Sequence, residues 1–126
     1  MPNMLEGALA GTASAMKDKD LEEYQRLLFQ GERIRVGFKV VRDAILFTDY
    51  RVIIEDVQGI TGRKREYLSI PYNKISAFSV ETAGLLDMDA ELKIWVSGLP
   101  SPVEHKFNRK TNIYEIEALL AAATSS

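Results

Sequence analysis

The stretch "RIRVGFKV" at residues 33–40 places its apolar side chains at every second position. A period of two is typical of a β-strand that buries one face and exposes the other. A helix that buries one face spaces its apolar residues three or four positions apart, so the pattern predicts that a strand begins here. The face predicted to be buried carries Ile34, Val36, Phe38 and Val40.

Six further short runs have strand composition, each bounded by glycine, proline or polar residues. Pro71 ends one of them, because proline cannot donate a hydrogen bond to a central sheet ladder. About seven short strands at this spacing predict a sandwich or a small barrel. The six runs are "AILF", "VIIEDV", "EYLSI", "ISAFSVE", "ELKIWVS" and "VEHKF".

Helices are predicted before the strands. Residues 3–16 carry an apolar stripe at helical spacing. Residues 20–30 carry a second stripe, with Asp20 as a predicted N-cap and Gly31 as the predicted stop. Both segments together are predicted to form an N-terminal helical extension over residues 1–31.

One more helix is predicted after the strands, over residues 112–123, where Asn112 and Glu115 resemble a capping box. An amphipathic helix in this place has to bury its apolar stripe against the sheets. The main domain is therefore predicted to span residues 32–123. The stripe consists of Ile113, Ile116, Leu119, Leu120 and Ala123.

The strings "LFTDYRVIIED", "EYLSIPYNKISAFSVE" and "GLLDMDAELKIWV" resemble the bacterial pleckstrin-homology (PH) domains, a family of proteins of unknown function. The resemblance covers about residues 30 to 122. It implies a mainly β, PH-like barrel of two bent antiparallel sheets packed nearly orthogonally, with the C-terminal helix closing one end. It also implies ring-like homo-oligomers without enzyme activity.

The predicted loop between the first two strands departs from that of lipid-binding PH domains. Their inositol-phosphate pocket needs a basic loop at this place, whereas here the loop is about "RDA". Arg42 is its one cation, and Asp43 offsets that charge. A polyphosphate cradle is therefore not predicted.

Composition excludes several classes of function. A net charge of -2 argues against general nucleic-acid binding, which needs clustered Lys and Arg. The absence of cysteine excludes disulfides, thiol catalysis and Cys-based zinc sites, and it favours a reducing cytoplasm. The run "ALAGTASA" follows no Lys or Arg, so a secretory signal is not predicted.

Asp87, Asp89 and Glu91 fall at alternate positions and thus on one face of an extended chain. A helix–loop–helix calcium site needs glycine at its sixth position, and here Leu92 occupies it. We therefore predict no metal site and no cofactor, and interpret the carboxylates as the polar start of a strand. A metal-assisted hydrolase that uses Asp87 and Asp89 is the alternative.

His105 is the single histidine, and it alternates with Val103 and Phe107. This spacing predicts an inward-leaning side chain with a structural role rather than a general base. No catalytic motif accompanies it, so no catalytic residue is predicted.

The string "GRKR" contains the one dense basic cluster: Arg63, Lys64 and Arg65. Three cations fall short of the roughly 4–8 that are typical of lipid-binding clusters. A solvated hairpin loop is the simpler interpretation, and contact with an anionic headgroup is the alternative.

Trp95 provides the best indication of a partner surface. Its neighbours Leu92, Ile94 and Val96 are predicted to point inward, so Trp95 should point outward beside Lys93. Exposed tryptophan and arginine are typical of interface hot spots. Cover of Trp95 by a loop or by the N-terminal helices is the alternative. The predicted partner-binding residues are Trp95, Lys93, Arg33 and Arg35.

Together these patterns predict a non-catalytic, cytoplasmic interaction module that binds other copies of itself and serves as a protein-binding scaffold. Binding to an anionic membrane surface is the alternative function.

Overall fold

The architecture consists of two antiparallel sheets and the short helices that accompany them. The chain divides into two units, one of residues 15–71 and one built on residues 72–126. The computed structural model describes residues 16–40, 43–84, 89–108 and 111–125.

The first unit holds a four-stranded antiparallel sheet in the order β1-β2-β3-β4. A short helix and a 3₁₀ helix precede it, so the predicted helical segment before the strands is present in modified form. Its elements are α1 (Asp18–Leu21), the 3₁₀ helix Glu22–Leu27, β1 (Ile34–Val40), β2 (Asp43–Thr48), β3 (Arg51–Gln58) and β4 (Lys64–Pro71).

The second unit holds a three-stranded antiparallel sheet in the order β5-β6-β7, followed by the C-terminal helix. The helix contacts β5 and β6, and the predicted apolar residues Ile113, Ile116, Leu119 and Leu120 are all buried. The elements are the 3₁₀ turn Tyr72–Lys74, β5 (Ile75–Glu81), β6 (Asp89–Val96), β7 (Val103–Asn108) and α2 (Ile113–Thr124). The prediction of seven antiparallel strands and a C-terminal helix is confirmed.

The strands β2 and β3 are buried on both faces rather than on one. Every residue of 44–48 and 52–55 is buried. One face is covered by the N-terminal segment, because Leu21 and Tyr24 form a cluster with Ala44, Leu46 and Ile53. The helical segment therefore supplies part of the core of the first unit.

A β-bulge in β1 changes the predicted facing of Ile34. Ile34 pairs with Thr48 and Val36 pairs with Phe47, so Arg35 is an extra residue on β1. The bulge moves Ile34 to the opposite face from Val36, where it packs against the Leu21 cluster. The prediction of one common face for β1 is therefore wrong at Ile34.

Both predicted ends of the helix over residues 20–30 are wrong. The helix begins at Asp18, and Asp20 lies inside it, where its carboxylate accepts a hydrogen bond from the Lys17 backbone N–H at 3.3 Å. After Leu21 the chain tightens into the 3₁₀ helix. Gly31, with φ 95°, lies in a turn closed by the Glu32 N–H and the Phe29 carbonyl oxygen at 3.0 Å rather than next to the helix end.

The predicted caps and turns at other places vary in outcome. The Asn112 side chain does not cap α2, and its amide donates to Glu115 Oε1 at 3.3 Å. Pro71 ends β4 as predicted. The helix predicted over residues 3–16 lies outside the described residues, apart from its last residue, Met16. Arg42, in the predicted turn, also lies outside them.

Gly37 is a point of close contact between the N-terminal segment and the sheet. A Cβ placed there would lie 2.6 Å from Leu46 Cδ2, 2.9 Å from Leu21 Cδ2 and 2.9 Å from Met16 Sδ. The Met16 N–H also donates to the Gly37 carbonyl oxygen at 2.7 Å. A side chain at position 37 would have to displace all three neighbours.

We expect Gly37→Val to lower the free energy of unfolding by about 1–3 kcal/mol, since overpacking of a filled core has this typical cost. Urea unfolding of the two proteins measures the difference. In a Leu21→Ala background the cost should shrink, because one of the three opposing groups is then absent. An equal cost in both backgrounds would contradict this packing.

Candidate functional site

The outer face of the second sheet contains Trp95, as the alternation predicts. The side chain of Trp95 is 38% exposed, whereas its neighbours Leu92 and Ile94 are buried. A bulge beside it makes Ser76 an extra residue on β5, and the Ser76 hydroxyl donates to the Trp95 carbonyl oxygen at 3.2 Å. The hydrogen bond fixes the backbone beneath the exposed indole.

Lys93 lies on the same face two residues before Trp95. Its ammonium group is 3.8 Å from a carboxylate oxygen of Glu91 and 3.8 Å from one of Glu104. This face therefore combines a half-exposed indole with charges of both signs.

The other two predicted partner residues belong to the first unit. Arg33 is exposed, and its carbonyl oxygen accepts the Asp49 N–H at 3.1 Å. Arg35 is half-buried at the bulge and forms an ion pair with Asp49. Part of the positive charge predicted for this strand is thus neutralised within the unit.

The predicted basic cluster lies on the hairpin between β3 and β4. Arg63 and Lys64 are exposed, and neither forms an ion pair within the described residues. Arg65 differs, because its guanidinium donates to Glu55 Oε2 at 2.7 Å and the Glu55 side chain is fully buried. Two of the three cations therefore remain to attract an anionic surface.

Glu55 is a buried carboxylate that the sequence patterns did not indicate. Its second oxygen accepts a hydrogen bond from the Tyr24 hydroxyl at 2.8 Å. Burial, this hydrogen bond and the negative charge of Glu55 raise the pKa of Tyr24 well above its usual value. The Arg65 and Tyr24 donors compensate a charge that would be costly to bury alone.

Glu32 is the second buried carboxylate of the first unit. Arg51 donates to both of its oxygens at 2.9 Å, and the Thr48 hydroxyl donates to Oε2 at 2.7 Å. Arg51 also donates to the Leu27 carbonyl oxygen at 2.7 Å. Burial raises the pKa of Glu32, but the hydrogen bonds outweigh it, and the net pKa lies below the usual value.

The remaining candidates from the sequence take different places. Asp87 lies outside the described residues, Asp89 begins β6, and Glu91 lies on its outer face. His105 is 9% exposed and its ring packs against Phe107 with centroids 5.0 Å apart. In the described part of the chain no cluster of three or more His, Cys, Asp or Glu side chains is arranged to hold a metal ion.

Exposed apolar side chains were the main omission of the sequence patterns. Ile60 is fully exposed at the tip of the β3–β4 hairpin. Phe29 and Tyr50 are exposed in the first unit, with ring centroids 5.1 Å apart. The exposure of Ile60 could have been predicted from its position between two glycines. The Phe29–Tyr50 pair depends on the contact between two turns, which the sequence does not show.

Among the helices in the described ranges, none is long and apolar enough to cross a lipid bilayer.

Comparison with solved structures identifies the architecture. A PH domain from Shewanella amazonensis SB2B is 38% identical, with a TM-score of 0.78, over 97% of this chain and 98% of that one. A protein with a PH domain from Shewanella loihica PV-4 is 37% identical, with a TM-score of 0.77, over 91% and 99%. The two antiparallel sheets and the C-terminal helix are thus those of a PH-like domain.

Comparison of sequences then gives the family. The model of the bacterial PH domain matches residues 3–124, so the chain belongs to this family. The uncharacterized protein YjqA of Bacillus subtilis is 51% identical over 116 residues, which are 90% of this chain and 93% of that protein. The uncharacterized protein YozO of the same organism is 30% identical over 110 residues, 87% and 94% of the two chains.

The raised pKa of Tyr24 predicts a loss of stability at alkaline pH. The unfolded chain ionises this tyrosine above a pH of about 10, whereas the folded chain keeps it protonated. The contribution of Tyr24 is therefore complete below that pH and declines as the pH rises. Tyr24→Phe should lower the free energy of unfolding at neutral pH by about 1.5–3 kcal/mol, the usual value of a hydrogen bond to a charged group.

Denaturant unfolding measured from neutral to alkaline pH tests both expectations. The difference in the free energy of unfolding between the wild type and Tyr24→Phe should shrink above a pH of about 10. Tyr114→Phe is the matched control, because Tyr114 is exposed on α2. A difference that stays constant through the alkaline range would contradict the assignment.

Proposed function

We propose that the protein is a non-catalytic, cytoplasmic interaction module that associates with other copies of itself and serves as a protein-binding scaffold. The observation that carries the proposal is the outer face of the second sheet, where Trp95 is held half-exposed beside Lys93. Water solvates an indole poorly, and a tryptophan at the centre of an interface is among the most frequent hot-spot residues.

The charges around Trp95 support a protein as the partner. Lys93, Glu91 and Glu104 place both signs of charge close together on this face. Another copy of the chain offers the same set of charges, so it can match Lys93 with a carboxylate of the neighbouring copy in a ring-like homo-oligomer. Arg33 and Arg35 remain proposed partner residues of the first unit.

The chemistry of the buried polar groups supports a non-catalytic role. The carboxylates of Glu32 and Glu55 are occupied by donors of their own unit. His105 is packed against Phe107. These groups are buried and bound within their own units, which supports a non-catalytic role.

Light scattering coupled to size exclusion tests the association at micromolar concentration. We expect a mass that is a multiple of the chain mass of 14.2 kDa. Trp95→Ser should weaken the association by about thirtyfold or more, which corresponds to a hot spot of about 2 kcal/mol.

Tyr114→Ser is the matched control, because it also removes an exposed aromatic ring, 67% exposed, from the same unit. It should leave the mass unchanged. A wild-type protein that stays at 14.2 kDa at every concentration would remove the self-association from the proposal.

We propose binding to an anionic membrane surface as the second candidate function. Arg63 and Lys64 favour it, because both are exposed on one hairpin. Each Lys or Arg near an anionic surface contributes about 1 kcal/mol, so the pair supports weak, salt-sensitive adsorption.

Sedimentation with vesicles rich in phosphatidylglycerol tests this second function. The double variant Arg63→Ser, Lys64→Ser should bind about thirtyfold more weakly, from two contributions of about 1 kcal/mol. Lys19→Ser, Lys74→Ser is the control, since it removes the same net charge from exposed positions elsewhere. Equal binding by both variants, or binding that added salt does not weaken, would reject the candidate.

A further inference from the structure

The tip of the β3–β4 hairpin presents one apolar side chain to solvent. Ile60 has a relative exposure of 104%, so its side chain makes almost no contact within the described chain. Gly59 and Gly62 flank it with φ of 77° and 69°, a backbone conformation that glycine adopts without strain. The loop thus holds Ile60 outward at the end of a paired two-stranded ribbon.

The charges of the hairpin are separated along its length. Arg63 and Lys64 lie next to the tip, with Lys64 opposite Gln58. The pair Asp56 and Glu66 lies two residues further from the tip, about 7 Å at the usual rise of a strand. The end of the hairpin is therefore cationic around an apolar side chain, and the pair of carboxylates that follows it is anionic.

The small size of this tip indicates the kind of partner. A specific protein interface buries about 800 Å² on each partner, which a hairpin end with one apolar side chain does not supply. A bilayer needs no complementary shape, and it accepts apolar side chains below a layer of charged headgroups. The combination of one apolar residue with two cations fits an anionic bilayer.

We propose that the β3–β4 tip inserts Ile60 shallowly into an anionic lipid bilayer, with Arg63 and Lys64 at the headgroup phosphates. The carboxylates of Asp56 and Glu66 limit the depth, because they are repelled by the same headgroups. The proposal rests on the second function above and adds to it an apolar insertion at a defined residue.

The absence of cysteine in this chain allows a site-specific test. Thr61→Cys carries an environment-sensitive fluorophore next to Ile60, and Ser101→Cys carries the same fluorophore at an exposed position of another loop. Vesicles of equal parts phosphatidylglycerol and phosphatidylcholine should shift the emission of the first label to the blue and leave the second unchanged. Vesicles of phosphatidylcholine alone should give no shift.

Variants separate insertion from adsorption. Ile60→Ser should weaken sedimentation with the mixed vesicles by about tenfold or more, the lower end of what burying one isoleucine contributes. Leu99→Ser is the matched control, because Leu99 is an exposed apolar residue of another loop, 48% exposed. It should leave sedimentation unchanged.

The outcomes distinguish the insertion of Ile60 from electrostatic binding to an anionic membrane surface, the function on which it rests. Sedimentation that depends on Arg63 and Lys64, without a shift at Thr61→Cys or a loss in Ile60→Ser, overturns the insertion and leaves electrostatic adsorption standing. No sedimentation of the wild type overturns both. A shift that appears without vesicles and grows with protein concentration means that the tip docks on another copy, and it also overturns the insertion.

Discussion

The packing of the N-terminal segment on the first sheet is the interaction on which the rest of that unit depends. The strands β2 and β3 carry apolar side chains on both faces, and an uncovered face would expose Leu46 and Ile53 to water. Leu21 and Tyr24 cover this face. The segment before the strands is therefore part of the core, although its sequence resembles an appended helix.

Two buried carboxylates attach the segment by polar contacts. Glu55 in β3 binds the Tyr24 hydroxyl, and Arg51 in the same strand, which is paired with Glu32, binds the carbonyl oxygen at the end of the 3₁₀ helix. Such groups are stable in a core only when their hydrogen bonds are satisfied, so they select one position of the segment. Apolar contact alone would permit the segment to slide.

Periodicity predicted strands such as β6 well because buried residues alternate with more exposed ones along them. The seven strands, the end of β4 at Pro71 and the start of the C-terminal helix follow from local patterns of residue type. The bulge at Arg35 could not be predicted, since the sequence contains no sign that two residues of β1 face one of β2. The buried state of Glu55 also depends on Tyr24, which lies 31 positions away in the chain.

The candidate surfaces also combine features that local sequence patterns predict with features that depend on contacts between distant residues. The outward orientation of Trp95 follows from alternation, because Leu92 and Ile94 take the inner face. The ion pair of Arg65 could not be predicted from alternation, because its partner Glu55 lies on the neighbouring strand. The charge that a loop presents depends on contacts across the sheet as well as on its composition.

The missing side chain at Gly37 has a consequence for how this family can diverge. The space above that glycine is shared by Leu46, Leu21 and Met16. A larger residue at position 37 requires smaller side chains among these three neighbours, because filled interiors tolerate substitutions that conserve total volume. Substitutions at these four positions should therefore be correlated in evolution, which links the leading segment to the sheet.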